Sequence, residues 1–179
     1  MTFLSNGGKL IYSAWDFDSS NPLFATFGLN SFINSFTTPS NLYSSVTQHP
    51  VFNNPNQISQ LLWTDDQYNT DGQFVTVSSN ATQLAYFNGF PNYGSIVLNS
   101  SENSIYNAFQ AINYNGDNNS NGKIDVIELI ENEIQFFRGV SDTWLNVNPV
   151  FDTITSGNSS QFDVEFNSTG LISGIYNST

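Results

Sequence analysis

The sequence predicts a mixed α/β unit followed by a short all-β piece. Three patterns lead there. Residues 9–15, 72–77, 83–87 and 94–98 carry the apolar runs and period-2 alternation of strands. Residues 123–138 carry a 3.6-residue apolar repeat, which predicts a helix. Beyond Gly139 the repeat shortens to two, with a turn signal every ten residues or so. A boundary is therefore expected at 139–143, dividing 1–139 from 140–179. The second piece, roughly forty residues, is too short to close a sandwich alone.

Along the chain, Gly7-Gly8 forms a turn before a buried strand at 9–15. Residues 22–28 suit a short helix, with Pro22 in its first turn and Gly28 at its end. Residues 30–60 are rich in Asn, Ser and Pro and read as a long loop. The strands at 83–87 and 94–98 flank the turn pair Asn88-Gly89. Ile105, Phe109, Ile112, Tyr106 and Tyr114 fit a buried strand over 104–114. On the helix, Ile127, Ile130, Ile134 and Phe137 share one stripe, with Glu131, Asn132 and Gln135 opposite. Arg138 is favourably placed in the last turn, and Gly139 suits a stop. In the tail, Trp144-Leu145-Asn146-Val147 alternates, as do Phe162, Val164 and Phe166 with Asp163 and Glu165.

Composition excludes several function classes. The 179 residues hold 15 acidic and 3 basic side chains, for a net charge of −12. Three cations cannot neutralise a phosphate backbone, so nucleic acid is not an expected partner. No apolar run approaches the roughly 20 residues that span a bilayer. The absence of cysteine removes thiol catalysis, disulfides and thiolate metal sites, and the one histidine, His49, rules out a His-rich site within one chain. Polarity comes instead from 26 Asn, 24 Ser and 14 Thr. Six Asn-x-Ser/Thr sequons, at Asn80, Asn99, Asn118, Asn158, Asn167 and Asn177, are close to what chance gives in such a chain and say nothing about glycosylation. The low lysine content and acidity suit an extracellular or cell-surface protein, although the first residues lack the features of a signal peptide.

Two stretches resemble known families. Gly7-Gly8-Lys9-Leu10-Ile11, His49-Pro50-Val51, Trp63-Thr64-Asp65-Asp66-Gln67-Tyr68, Ile96-Val97-Leu98 and Asn132-Glu133-Ile134 are similar in order to the C-terminal half of ThuA-like domains, in the class I glutamine amidotransferase-like superfamily. That resemblance implies an incomplete flavodoxin-like three-layer sheet over 1–139 and a carbohydrate-processing enzyme as one function, with His49, Asp65 and Asp66 as catalytic candidates. The superfamily's catalytic cysteine is absent, so amidotransferase activity is not implied. Trp144 to Pro149, Thr153-Ile154, Gly157, Phe162 to Asn167 and Gly170-Leu171 to Tyr176 resemble the first strands of a BACON-like immunoglobulin-like module, implying a partial all-β sandwich at 140–179 in a secreted multidomain protein.

One motif carries metal chemistry. The run Asp117-Asn118-Asn119-Ser120-Asn121-Gly122-Lys123-Ile124-Asp125-Val126-Ile127-Glu128 fits a twelve-residue EF-hand loop at each key position. Calcium takes six to eight hard oxygens. Asp117, Asn119, Asn121, the Lys123 carbonyl, Asp125 and a bidentate Glu128 would supply them, and Gly122 would make the sharp turn. The competing reading is an Asn/Asp/Gly turn that caps a helix. With no entering helix, the loop would be a lone, dockerin-like one. Three carboxylates predict weak affinity, roughly 10⁻⁴ to 10⁻³ M.

Other candidates have plain alternatives. Asp16 and Asp18 could form a carboxylate pair after the first strand or lie on a solvated loop. Trp15, Trp63 and Trp144 could stack on sugars or pack in the core. The expected function is a non-catalytic, calcium-stabilised structural or interaction segment of a secreted or surface-anchored protein, with carbohydrate or neighbouring protein chains as partners. The alternatives are the ThuA-like enzyme and a self-assembling extracellular filament subunit that completes its sheet by strand exchange.

Overall fold

A computed structural model describes residues 2–18, 20–36, 41–63, 72–138, 145–148, 157, 159, 161 and 163–166. The chain divides into two compact units, Met1–Phe137 and Arg138–Thr179.

The first unit is mostly sheet, with few helices. A short helix, α1 (Thr2–Ser5), precedes β1 (Leu10–Ser13). A 3₁₀ turn, Ala25–Phe27, leads to β2 (Leu29–Phe36) and β3 (Leu42–Ser44). A second, Pro50–Phe52, leads to β4 (Gln60–Leu61). Then come β5 (Gly72–Val77), β6 (Thr82–Phe87), β7 (Phe90–Leu98) and β8 (Ser104–Asn107). A third 3₁₀ turn, Ala111–Asn113, precedes the long helix α2 (Asp125–Arg138). The strands form one curled sheet in the order β1-β8-β7-β6-β3-β4, with β5 joining β7 and β2 joining β5. Among the described residues, only β1 and β8 pair in parallel; the other pairs are antiparallel. The mixed α/β class therefore holds, while the pairing differs from the expected flavodoxin-like three-layer arrangement, which parallel strands joined by helical crossovers would build. Here β6, β7 and β8 follow one another as antiparallel neighbours joined by short turns.

At Gly94, β7 faces Tyr86 of β6 on one side and Val75 of β5 on the other. A Cβ at Gly94 would fall 2.7 Å from a methyl of Val97 and 3.0 Å from one of Val77, closer than packed carbons allow. Leu84, Phe87, Val97, Ile105, Tyr106 and Phe109 are all essentially inaccessible, and β8 is buried on both faces, since consecutive Ile105 and Tyr106 point to opposite sides of the sheet. Tyr12, Phe17, Phe27 and Tyr106 stack and tilt against one another with centroids 5.2–6.3 Å apart. The Tyr106 hydroxyl sits 2.9 Å from the Ala14 carbonyl and 3.0 Å from Gln73 Oε1, and burial keeps it a neutral phenol.

Two local expectations are corrected. The segment 30–60 is not one loop. Asn30, Ser31 and Phe32 of β2 are solvent-facing, so backbone pairing with β5 makes a strand without an apolar alternation to announce it. The 104–114 strand stops at Asn107, and Ile112, on the following turn, is exposed.

The helix shows a third difference. It buries Val126, Leu129, Asn132 and Glu133, and it exposes Ile127 and Ile134 from the expected apolar stripe. Two buried positions are polar because each meets a polar partner. Asn132 Oδ1 accepts from the Asn56 amide at 2.9 Å, and its Nδ2 donates to the carbonyls of Val51 and Asn56 at 3.0 and 2.8 Å. Glu133 Oε2 accepts from Asn107 Nδ2 at 3.1 Å, while Glu133 Oε1 and Asn107 Oδ1 have no partner. A protonated Glu133 can satisfy both orphans by donating to Asn107 Oδ1, and burial pushes its carboxyl up to about 8.

In the second unit, β9 (Leu145–Asn148) and β10 (Asp163–Phe166) pair antiparallel, with Val147 opposite Val164. The strands expected at 152–154 and from Leu171 lie outside the described residues.

Two predictions follow from the helix. Asn132→Ala should leave three main-chain groups of the 51–56 loop without their partner and cost about 3 kcal/mol in urea unfolding. Glu133 sets a pH dependence. Its folded pKa is raised, so the folded chain keeps a proton that the unfolded chain loses between its ordinary value of 4.5 and about 8. Stability is then full below 4.5 and falls as pH rises towards 8. Thermal melts in EDTA should show this decline in the wild type and a flatter profile in Glu133→Gln, whose carboxamide mimics the protonated acid.

Candidate functional site

Residues 117–128 run into the first turn of α2, where Asp125 and Glu128 also suit the positive end of the helix dipole. The loop is shaped by its own short polar side chains. Asp117 Oδ1 accepts from the Asn121 amide at 3.1 Å and Oδ2 from the Gly122 amide at 2.8 Å. Asn119 Oδ1 accepts from the Asn121 amide at 3.1 Å, and Asn121 Oδ1 from the Lys123 amide at 2.9 Å. Gly122 sits at φ +87°, a left-handed conformation that side chains resist.

This curl brings distant positions together. Asn119 Nδ2 donates to Glu128 Oε2 at 3.0 Å, and Asn121 Nδ2 to Glu128 Oε1 at 2.6 Å. Glu128 is 1% exposed and Asp125 3%. Asp125 Oδ2 accepts from the Asn118 amide at 3.0 Å, but Asp125 Oδ1 is buried without a partner. Its carboxyl is held above the ordinary range chiefly by burial, then by the charges of Glu128 and Asp117, against the lowering effect of the Asn118 bond. The site is oxygen-rich and anionic. The Lys123 ammonium is not part of it, being engaged by Glu131 Oε2 at 2.7 Å.

Five of the six expected ligand residues, Asp117, Asn119, Asn121, Asp125 and Glu128, are thus linked to one another directly or through one charge interaction, and Lys123 contributes only main chain to the loop. The donor set mixes carboxylates with carboxamides. Among the described residues no group of three or more His, Cys, Asp or Glu gathers tightly enough to hold a metal alone. Asn119 and Asn121 stand between the acids, their amide nitrogens turned to Glu128.

The other candidates separate. His49 caps the Pro50–Phe52 turn, its Nδ1 accepting from the Val51 amide at 3.3 Å, and its ring lies 5.1 Å from that of Phe136. Burial lowers its pKa, against a raising influence from Glu102. Asp65 and Asp66 lie outside the described residues, as does Trp144. Asp18 is exposed and folds its carboxylate onto the Ser20 amide at 2.7 Å, which lowers its pKa. Trp63 packs edge-on against Tyr114 at 5.6 Å. Asn99, in one of the sequons, is largely buried and has its amide bonded to Thr26 O and Asn103 Oδ1.

The comparisons with known proteins are sparse. No family model matches the chain, and a search of curated proteins finds no match. Among solved structures, a ThuA-like protein from Bacteroides uniformis is similar at 13% identity with a TM-score of 0.48. The match covers 74% of this chain and spans 59% of the other. No described helix is long and apolar enough to cross a membrane.

Asp117 orders the loop before any ligand is considered. Asp117→Ala should release the Gly122 amide, and in EDTA its hydrogen exchange should quicken about tenfold, while Asn121, still held by Asn119 Oδ1, changes less and exchange at the core of β7 is unchanged.

Proposed function

We propose that this chain is a non-catalytic, calcium-stabilised structural or interaction segment of a secreted or surface-anchored protein. The observation that carries the reading is the pair of carboxamides, Asn119 and Asn121, held on Glu128, with Asp125 within the reach of its charge and a buried Asp125 oxygen that has no partner. Two buried carboxylates that repel each other, Asp125 and Glu128, are costly without a cation. A divalent ion would accept the Asp125 oxygen and relieve the repulsion from Glu128 and Asp117. To bind it, the carboxamides of Asn119 and Asn121 would turn their oxygens inward, releasing Glu128 to act as a bidentate ligand. Calcium then staples the loop to α2, and by linkage it stabilises the whole fold wherever calcium exceeds its dissociation constant. The acidic, cysteine-free, amide-rich composition supports an extracellular setting. We read 140–179 as the opening strands of an immunoglobulin-like module, supported by the antiparallel pairing of β9 and β10.

The test is thermal unfolding across a calcium titration. Millimolar calcium should raise Tm by several degrees in the wild type and by much less in Glu128→Gln. Protons compete for Asp125, whose pKa is raised, so the calcium-induced shift should shrink on acidification. An unchanged Tm in millimolar calcium at neutral pH would refute the reading.

A further inference from the structure

A cavity of about 670 Å³ lies beside the 117–128 loop. Asn119, Asn121 and Glu128 line it together with Asn53, Asn56 and Gln57 of the 47–59 segment. That segment is held in place. Asn56 is tied to α2 through Asn132, the Glu128 carbonyl and Glu131, and Asn53 donates to the carbonyls of Thr47 and His49.

The lining chemistry is selective. It consists chiefly of carboxamides and hydroxyls, with one carboxylate, no cationic side chain and no aromatic ring. An anion finds no counter-charge, and Pro55 and Ile58 set apolar surface among the polar groups, as the C–H faces of a sugar require. A carboxamide both donates and accepts hydrogen bonds, as does a hydroxyl, so the match is to a neutral molecule with many hydroxyl groups. Three lining residues are also ligands in the calcium reading. Any coordination position that the loop leaves to water on the cavity side is open to a ligand hydroxyl.

We infer that this cavity binds a neutral saccharide or polyol, one of whose hydroxyls completes the coordination of calcium in the 117–128 loop. The inference rests on the calcium reading above. It adds a ligand class to a site that would otherwise be a staple alone.

The experiment is saturation-transfer NMR with glucose, galactose, mannose and sorbitol, and with glucuronate as the charged comparison. Spectra are taken in excess calcium and in EDTA, for the wild type and for Gln57→Ala and Ser59→Ala. Both replaced residues are exposed and line the cavity, and circular dichroism checks that the variants fold. Calcium melts are run on the same samples. At least one neutral probe should give saturation transfer in calcium, weakened several-fold by EDTA and by either substitution, with glucuronate weaker still. If calcium raises Tm but no neutral probe gives a signal, the cavity proposal falls and the calcium reading stands. A signal indifferent to EDTA overturns the shared coordination. A signal retained in both variants overturns the location, and a stronger signal from glucuronate overturns the ligand class.

Discussion

The side chain of Asn132 joins two parts of the fold that have no strand in common. From the middle of α2 it accepts from one amide and donates to two carbonyls of the 51–56 loop, in a place sealed from water. A buried carboxamide is stabilising only when its donors and acceptors are all met, and an apolar residue of similar size would leave three main-chain groups stranded. The consequences spread in both directions. Towards the N-terminus of the helix, the 117–128 loop inherits a fixed anchor in Asp125 and Glu128. On the other side, Asn56 is held against the helix and keeps one wall of the cavity in place. Both candidate functions depend on this join.

The helix carries two kinds of buried acid, and their surroundings separate them. Glu133 faces an uncharged carboxamide in a closed site, so the neutral acid is its natural form and its effect is confined to stability. Asp125 faces the charges of Glu128 and Asp117, and Glu128 takes the amide donors of Asn119 and Asn121 beside the cavity. Glu128 and Glu133 lie five positions apart on α2, and what each acid does follows from what its turn of helix meets. The same amino-acid type thus serves as a packing group in one place and as a candidate metal ligand in the other.

Much of this was legible in the sequence. The Gly-Gly turn before β1, the Asn88-Gly89 hairpin, the strands β5 to β7 and the long helix follow from local patterns whose physical cause is local. So does the loop: its Asp and Asn spacing is what folds Asp117 back onto the Asn121 and Gly122 amides. Strand β2 was not legible, because Asn30, Ser31 and Phe32 face solvent without an apolar alternation and its order comes from pairing with β5 more than forty residues away, as in Phe32 with Val75. The buried face of α2 was misjudged because hydrophobicity cannot announce that Asn132 and Glu133 are the positions facing inward. Their partners, Val51, Asn56 and Asn107, come from other parts of the chain. His49, notable as the lone histidine, proves to cap a turn and pack on Phe136.

By itself, then, the sequence determined the chemical vocabulary of the protein: no thiols, three cations, an abundance of neutral amides and hydroxyls, and one loop with the spacing of an oxygen-rich ion site. Composition and short-range spacing are enough for that, since excluded chemistries need no geometry and an Asx-rich turn closes on its own backbone. Tertiary structure alone decided that the sheet is mainly antiparallel, which face of the helix is buried, and that the 47–59 segment lines one cavity together with Asn119 and Asn121. Those outcomes depend on backbone pairing and hydrogen bonds between residues some seventy positions apart, such as Asn56 with Asn132, and no local pattern records them.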